Sequence, residues 1–178
     1  IISKFQKRKS IYLALESLLF LSKKYKFKVT IIGEISTIEH RKYYYKCKNF
    51  ISKNNLGNII KLVINLKHNK IYNYYIKHHL FLLPAANEPA SISLLEAIGY
   101  SMPVICSDTC GTRFYVNKKF GKIFKTNKIQ SLTNTIEFFL KNKKNYEKFS
   151  QNSFVHATKH LSEKNYNNYL IKYVTQKK

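Results

Sequence analysis

Apolar positions along this chain fall in short runs separated by polar, helix-patterned stretches. Phe27–Ile32 (FKVTII) is mostly apolar and β-branched, ends at Gly33 and predicts a buried strand. Further strands are predicted at Ile59–Ile64, Leu80–Leu83 and Val104–Cys106, and another at Lys122–Phe124. Helical patterning occupies Ile11–Tyr25, Ile38–Asn54, Lys70–His78, Ser91–Tyr100 and Lys128–Leu140, with a last helix from about Glu163 to Val174. Asn55-Leu56-Gly57 is a helix stop, and Ile71, Tyr74, Tyr75 and His78 share one helical face.

Strands that are apolar on both faces and alternate with helices imply an α/β fold with a parallel sheet covered on both sides. Right-handed crossovers make it a doubly wound, Rossmann-like sheet, in which ligands bind beyond the carboxyl ends of the strands. Four loops leave those ends: Gly33–Thr37, Asn65–Asn69, Pro84–Ala90 and Ser107–Phe114. Residues 1–150 form the expected sheet domain, and 151–178 a C-terminal helical segment. Ile1-Ile2 reads as the end of a strand, and the chain starts without Met, so a piece of a longer protein is expected.

The 178 residues suit one domain with a small appendage. Three cysteines give neither a disulfide framework nor a zinc pattern, which points to a reduced, cytoplasmic setting. No apolar run reaches the length of a membrane span. Lys+Arg number 32 against 9 Asp+Glu, a formal charge of +23. That balance invites a non-catalytic basic module that binds nucleic acid or an anionic membrane surface. Lysine is, however, spread over nearly every helix and loop, and Lys, Asn, Ile, Tyr and Phe make up about half the chain, the composition of A/T-rich codons. Nucleic acid is therefore disfavoured, and peripheral attraction to an anionic membrane is the milder alternative.

One window breaks the lysine habit. His78–Asn117 contains no lysine, holds all three prolines (Pro84, Pro89, Pro103), and carries Glu88, Glu96 and Asp108 against Arg113 alone. Helix Ser91–Tyr100 starts at the ligand edge, where free N–H groups and the helix dipole favour a phosphate. Ser91 and Ser93 offer hydroxyls there, or N-caps. Glu96 lies one turn into the helix and leans back toward its start, where a carboxylate can accept bonds from vicinal sugar hydroxyls. Ser93-Leu94-Leu95-Glu96 also fits a capping box, so both readings stand. Glu88 lies in the loop itself. Asp108 reads as a structural loop residue, and His156 and His160 as a surface pair rather than a metal site. Cations come from Ser3-Lys4-Phe5-Gln6-Lys7-Arg8-Lys9-Ser10, which also follows a strand end.

From Glu88 to Asp108 the sequence runs E-P-x-S-x-S-L-L-E-A-x-G-x-x-x-P-V-I-x-S-D. With Phe81-Leu82-Leu83-Pro84-Ala85, KFQKRKS, Ile31-Ile32-Gly33 and the Gly121/Phe124 pair, it resembles the donor-binding half of retaining glycosyltransferases of family 4. The resemblance implies the C-terminal half of a two-domain GT-B architecture, the N-terminal acceptor domain lying outside this chain. It implies a hexosyltransferase-type enzyme that takes a UDP- or GDP-sugar, passes the sugar to a sugar, lipid or protein acceptor with retention, and needs no metal or other cofactor. Polysaccharide or lipopolysaccharide synthesis is the setting it suggests. The isolated half is expected to bind donor poorly and transfer nothing. Glu96 takes the role of ribose ligand, and Glu88 that of the catalytic contact to the transferred sugar. Lys4 and Lys9 hold the diphosphate, backbone amides around Pro89, Ala90 and Ser91 lie near the phosphates and sugar, and Gly33 ends the next strand. Asn65-Leu66-Lys67-His68 departs from the family's Gly-x-Val, His78-His79 from its Ala-Asp, and Ser3 and Ser10 from its glycines.

Overall fold

In the computed structural model, described over residues 1–162, five parallel strands form the sheet pieces of the molecule. β1 (Val29–Gly33) pairs with β2 (Ile60–Ile64), with Ile31 opposite Leu62. β3 (Phe81–Leu83) pairs with β4 (Val104–Ser107), and β4 with β5 (Gly121–Phe124), placing Leu82, Ile105 and Lys122 in one row. Ile1 and Ile2 are indeed strand-like. Ile2 bridges Ile32 in parallel, Ile32 N–H donates to the Ile1 carbonyl at 2.9 Å, and Ser3 N–H donates to the Ile32 carbonyl at 3.0 Å. The two sheet pieces are linked by side chains as well: His78 Nε2 lies 3.0 Å from Thr30 Oγ1.

The strand residues alternate between two cores, as a pleated strand requires. Ile31, Leu82, Ile105 and Phe124 face one cluster with α1 (Ile11–Ser22), α2 (Ile38–Lys53) and α5 (Ile129–Lys141). Phe81, Leu83, Val104 and Cys106 face the other, with α3 (Tyr72–Lys77), α4 (Ile92–Gly99) and α6 (Tyr146–His160). Three helices therefore cover each face, the doubly wound α/β arrangement expected. Each fully buried Leu or Ile contributes about 1.5–3 kcal/mol, so these two clusters supply most of what holds the strand ends in place.

Local rules set most helix ends. Thr37 caps α2 by accepting from His40 N–H at 3.1 Å, and α2 stops at Asn54-Asn55, where Asn55 takes φ 56°. The predicted Lys70–His78 helix divides into a 3-10 turn at His68–Lys70 and the shorter α3. Strand β1 starts two residues later than expected, at Val29.

Helix α6 was not predicted, apart from the stretch holding His156 and His160. Its sequence is mostly polar; Ser153 and Ala157 are its buried residues, and Phe149 packs against Phe138 and Phe139 of α5. The Ser153 hydroxyl donates toward the carbonyls of Met102 (2.9 Å) and Ile98 (3.3 Å) at the end of α4. The expected boundary at 150/151 falls inside this helix. The helix predicted over Glu163–Val174 lies outside the described residues. Among the described residues, no helix is long and apolar enough to cross a membrane.

Gly33 ends β1 against Phe5, whose ring is fully buried. A Cβ at position 33 would overlap that ring and lie 2.8 Å from the Ser3 carbonyl. Gly33→Ala is expected to destabilise by about 1–3 kcal/mol through overpacking. Adding Phe5→Leu should recover part of the loss, read as a urea midpoint; a neutral Gly33→Ala would contradict this packing.

Candidate functional site

The loop after β3 and the first residues of the chain are built as one unit. Arg8 accepts the Ala86 N–H on its carbonyl at 2.7 Å, which docks the basic loop on Pro84–Ala90. Asn87, at φ 51°, turns the loop, and its N–H donates to Thr109 Oγ1 at 3.0 Å. Glu88 then pairs with Cys110 in a parallel bridge, and its carbonyl accepts Gly111 N–H at 2.7 Å. Only glycine fits at 111, because a Cβ there would collide with the Pro89 carbonyl.

This backbone buries the Glu88 side chain to 7% exposure. A carboxylate removed from water needs charged or hydrogen-bonded partners. Glu88 Oε2 has two: Arg8 Nη1 at 2.9 Å and Lys9 Nζ. Lys9 is itself 11% exposed, whereas Arg8 is half-exposed. Glu88 is thus not a solvated loop charge.

Glu96 lives in different company. Helix α4 is capped by Ser91, whose hydroxyl accepts Leu94 N–H at 3.2 Å. Ser91, not Ser93, is the N-cap, so the capping-box reading of Ser93 and Glu96 is set aside. Ser93 Oγ instead donates toward the Ile2 carbonyl at 3.3 Å, tying α4 to the first strand-like residues. Glu96 Oε2 accepts from the Tyr75 hydroxyl at 2.8 Å, and Oε1 lies 3.5 Å from His68 Nε2. The Glu96 side chain keeps 29% exposure.

His68 leads from Glu96 into an open cleft of about 570 Å³. Ser3, Lys4, Gly33, Glu34, Asn65 and His68 are among its walls. The loops after β1 and β2 line this cleft, while the loop after β3 carries Glu88 and leads into α4, whose Glu96 reaches His68. Asn65, at φ 50°, fixes two of them together by accepting Ile35 N–H at 2.8 Å. Lys4 does not join Lys9. It pairs with Glu34 at 3.2 Å, and the Ser36 side chain first and Lys4 second hold the Glu34 carboxyl below its ordinary range. Pro89 and Ala90 are exposed on the loop before the cap.

The other candidates have structural places. Asp108 Oδ1 accepts from the Thr126 hydroxyl (2.6 Å) and N–H (2.9 Å), which ties the loop after β4 to the end of β5 and holds the Asp108 carboxyl below its ordinary range. Cys106 and Cys110 are buried free thiols; hydrogen bonding from Cys106 first, opposed by burial and aided by Thr112, lowers Cys110 to about 6. His156 and His160 lie with ring centroids 4.4 Å apart and planes tilted by 39°, beside Phe120. Among the described residues, no group of three or more His, Cys, Asp or Glu could hold a metal ion.

Sequence reasoning passed over Tyr75, His68 and Gly111 as site residues. Tyr75 was legible only as one member of an apolar helix face. His68 lay on a ligand-edge loop by topology, with nothing to connect it to Glu96. Gly111 carried no signal, since its need arises from Pro89, a contact across 22 positions.

The sequence profile of the family described as glycosyl transferases group 1 matches residues 1–156. No curated protein matches the chain significantly. Among solved structures, the chain is similar to sucrose-phosphate synthase from Thermosynechococcus elongatus, with TM-score 0.83 and 18% identity over 98% of this chain and 45% of that one. It is also similar to the C-terminal domain of a glycosyl transferase group 1 family protein from Francisella tularensis, with TM-score 0.82 and 18% identity over 91% and 85% of the two chains. Anabaena HepE in complex with UDP gives TM-score 0.83 and 14% identity over 98% and 48%. The chain spans less than half the length of the synthase and of HepE. These likenesses show the fold, that of a GT-B glycosyltransferase domain.

The Glu88 clamp yields a stability test. Lys9→Met should cost about 1–3 kcal/mol, because Glu88 keeps Arg8. Arg8→Met, at a half-exposed position, should cost under about 1 kcal/mol. The double variant should exceed the sum, since Glu88 is then buried without a cation. Additive urea midpoints would contradict a shared clamp.

Proposed function

The chain belongs to the glycosyl transferases group 1 family, and from that premise we propose that it is the donor-binding half of a retaining family 4 enzyme. Its donor is a nucleoside diphosphate sugar, UDP- or GDP-linked, and its acceptor is carried by another part of the protein. The observation that carries this reading is Glu96, a partly exposed carboxylate beside His68, which lines a cleft shared with Lys4 and Gly33.

In this reading the ribose hydroxyls donate to Glu96, in the acceptor-only geometry a carboxylate offers vicinal hydroxyls. The diphosphate lies between the start of α4, near the amides of Pro89–Ser91's loop, and the basic loop. Lys9 has three N–H donors, of which Glu88 occupies one, so the others can meet phosphate oxygens. Lys4 is held at the cleft by Glu34 and is half-exposed, available to a phosphate. As the sugar–phosphate bond breaks, negative charge grows on the leaving diphosphate, and fixed lysines with a helix N-terminus stabilise it where it forms. No metal or other cofactor is required by this arrangement. Glu88, anchored by Lys9, presents the rigid contact to the transferred sugar.

That Anabaena HepE is seen in complexes with UDP and with UDP-glucose supports a nucleotide-sugar donor. Three free thiols favour a reduced, cytoplasmic location. The charge of +23 favours peripheral attraction to anionic membrane surfaces, where acceptors of lipid type reside.

In the enzyme that carries this domain, Glu96→Ala is expected to lose about 2–4 kcal/mol of transition-state stabilisation, measured as kcat/KM. Near-normal turnover would remove Glu96 from the site. Lys9→Ala should weaken a nucleoside diphosphate more than the nucleoside, and equal losses would deny it a phosphate role. NMR of the first-formed product should report an unchanged anomeric configuration; inversion would overturn family 4.

A further inference from the structure

Glu96 is reached from a neighbouring helix by a side chain with no place in the reading above. Tyr75 stands on α3 and is 3% exposed. Its ring stacks on Tyr100 with centroids 5.1 Å apart and planes 11° from parallel, and packs against Phe81 at 6.0 Å. Tyr100 follows the last turn of α4 and Phe81 opens β3, so the phenol is wedged between a helix end and a strand. Its hydroxyl has one proton and two acceptors in reach: Glu96 Oε2 at 2.8 Å and the Ser93 carbonyl at 3.3 Å. The shorter bond, to a carboxylate, is the stronger.

The two carboxylate oxygens are thereby made unequal. Oε2 is bound to a buried, ring-locked donor. Oε1 faces His68, which is 85% exposed and lies at 3.5 Å, a distance that leaves the oxygen open to a closer ligand. A glutamate on a helix surface otherwise samples several rotamers. Burial first, and the Glu96 carboxylate second, push the Tyr75 phenol above its ordinary range, so it stays a donor throughout the working pH range.

We propose that Tyr75 is a positioning residue: it fixes the Glu96 carboxylate so that Oε1 is presented to the ribose hydroxyls of the donor, and so sets the preference for ribonucleotides. This rests on the reading of Glu96 as the ribose ligand. Without Tyr75 the carboxylate must be ordered by the ligand itself, a cost of one immobilised long side chain.

The test is calorimetric titration of the enzyme that carries this domain, as wild type, Tyr75→Phe and Glu96→Ala, with UDP and GDP and with the 2′,3′-dideoxy form of each. Wild type should favour the ribose form. Tyr75→Phe keeps the stacked ring and should reduce that preference about five- to tenfold, by weakening the ribose form alone. Glu96→Ala should abolish the preference, and Tyr75→Phe should add nothing to it in the double variant. If Tyr75→Phe weakens both forms equally, or neither, while Glu96→Ala abolishes the preference, the positioning role is overturned and the ribose reading stands. If wild type shows no preference, or Glu96→Ala retains it, both are overturned.

Discussion

A carboxylate taken nearly out of water has to be met by positive charge, and Glu88 is met twice, by side chains 80 and 79 positions away in sequence. That pairing is the joint on which the ligand edge depends. It draws the basic loop, which follows the strand-like Ile1 and Ile2, onto the loop after β3. The Arg8 carbonyl and Ala86 N–H complete the joint in the backbone. Because Lys9 is nearly as buried as Glu88, neither can be satisfied by solvent if the other leaves. The loop geometry is thus enforced electrostatically, while the strands beneath it are held by packing. Without this clamp the loop would rest on neutral hydrogen bonds alone, among them Ala86 N–H to Arg8, Asn87 N–H to Thr109 and the bridge to Cys110 and Gly111.

From this joint the rest of the site is placed by short steps. Glu88 is followed by Pro89, whose carbonyl is approached so closely by position 111 that only glycine can stand there. Three residues beyond Glu88, Ser91 caps α4 and so fixes where the helix starts. The start of α4 decides which residue, one turn on, leans back toward the cleft, and that residue is Glu96. Ser93 then anchors the same turn to Ile2, closing the circuit with the strand that leads into the basic loop. Separation of the two glutamates by eight positions is therefore a mechanical consequence: a turn, a cap and one helical turn, in that order.

Much of this was readable before any coordinates. Alternating apolar runs and helical stretches, with Gly33 and Pro84 as punctuation, were enough for the parallel α/β sheet, because β3 and β4 are buried on both faces and therefore continuously apolar. The lysine-free window was legible because burial excludes lysine, and His78–Asn117 contains β3, α4, β4 and the loops around Glu88. What escaped the sequence was held by contacts between distant residues. Helix α6 docks through the small residues Ser153 and Ala157, with Phe149 against α5, a pattern too sparse to read as an apolar stripe. Ser93 and Glu96 matched a capping box in spacing, yet the helix begins at Ser91, and only the Ser93 bond to Ile2 explains why the later serine is not the cap. Lys4 and Lys9 read as one cationic cluster, but Glu34, at the end of β1, draws Lys4 to the cleft while Glu88 draws Lys9 inward.

The lysine excess gives this division of labour its chemical meaning. In a chain with 32 basic residues and 9 acidic ones, an exposed carboxylate is readily neutralised by a neighbouring lysine. Glu34, Glu39 and Glu137 each pair with a lysine, and Glu88 pairs with a lysine and an arginine. Among the described residues Glu96 is placed differently, between a phenol and an exposed histidine. Residues 78–117 contribute no lysine, and so none arises from α4, β4 or their loops to compete for it. A hydroxyl is a weaker donor than an ammonium, and a carboxylate already paired with lysine would gain little by exchanging that partner for a sugar. In the proposed reading, the lack of a lysine partner leaves Glu96 to bind neutral hydroxyls, while Lys4 in the neighbouring cleft and Lys9 beside Glu88 serve phosphate. Under that proposal, the composition that first suggested unselective attraction to anions serves, by local exclusion, a ligand that is charged at one end and hydroxylated at the other.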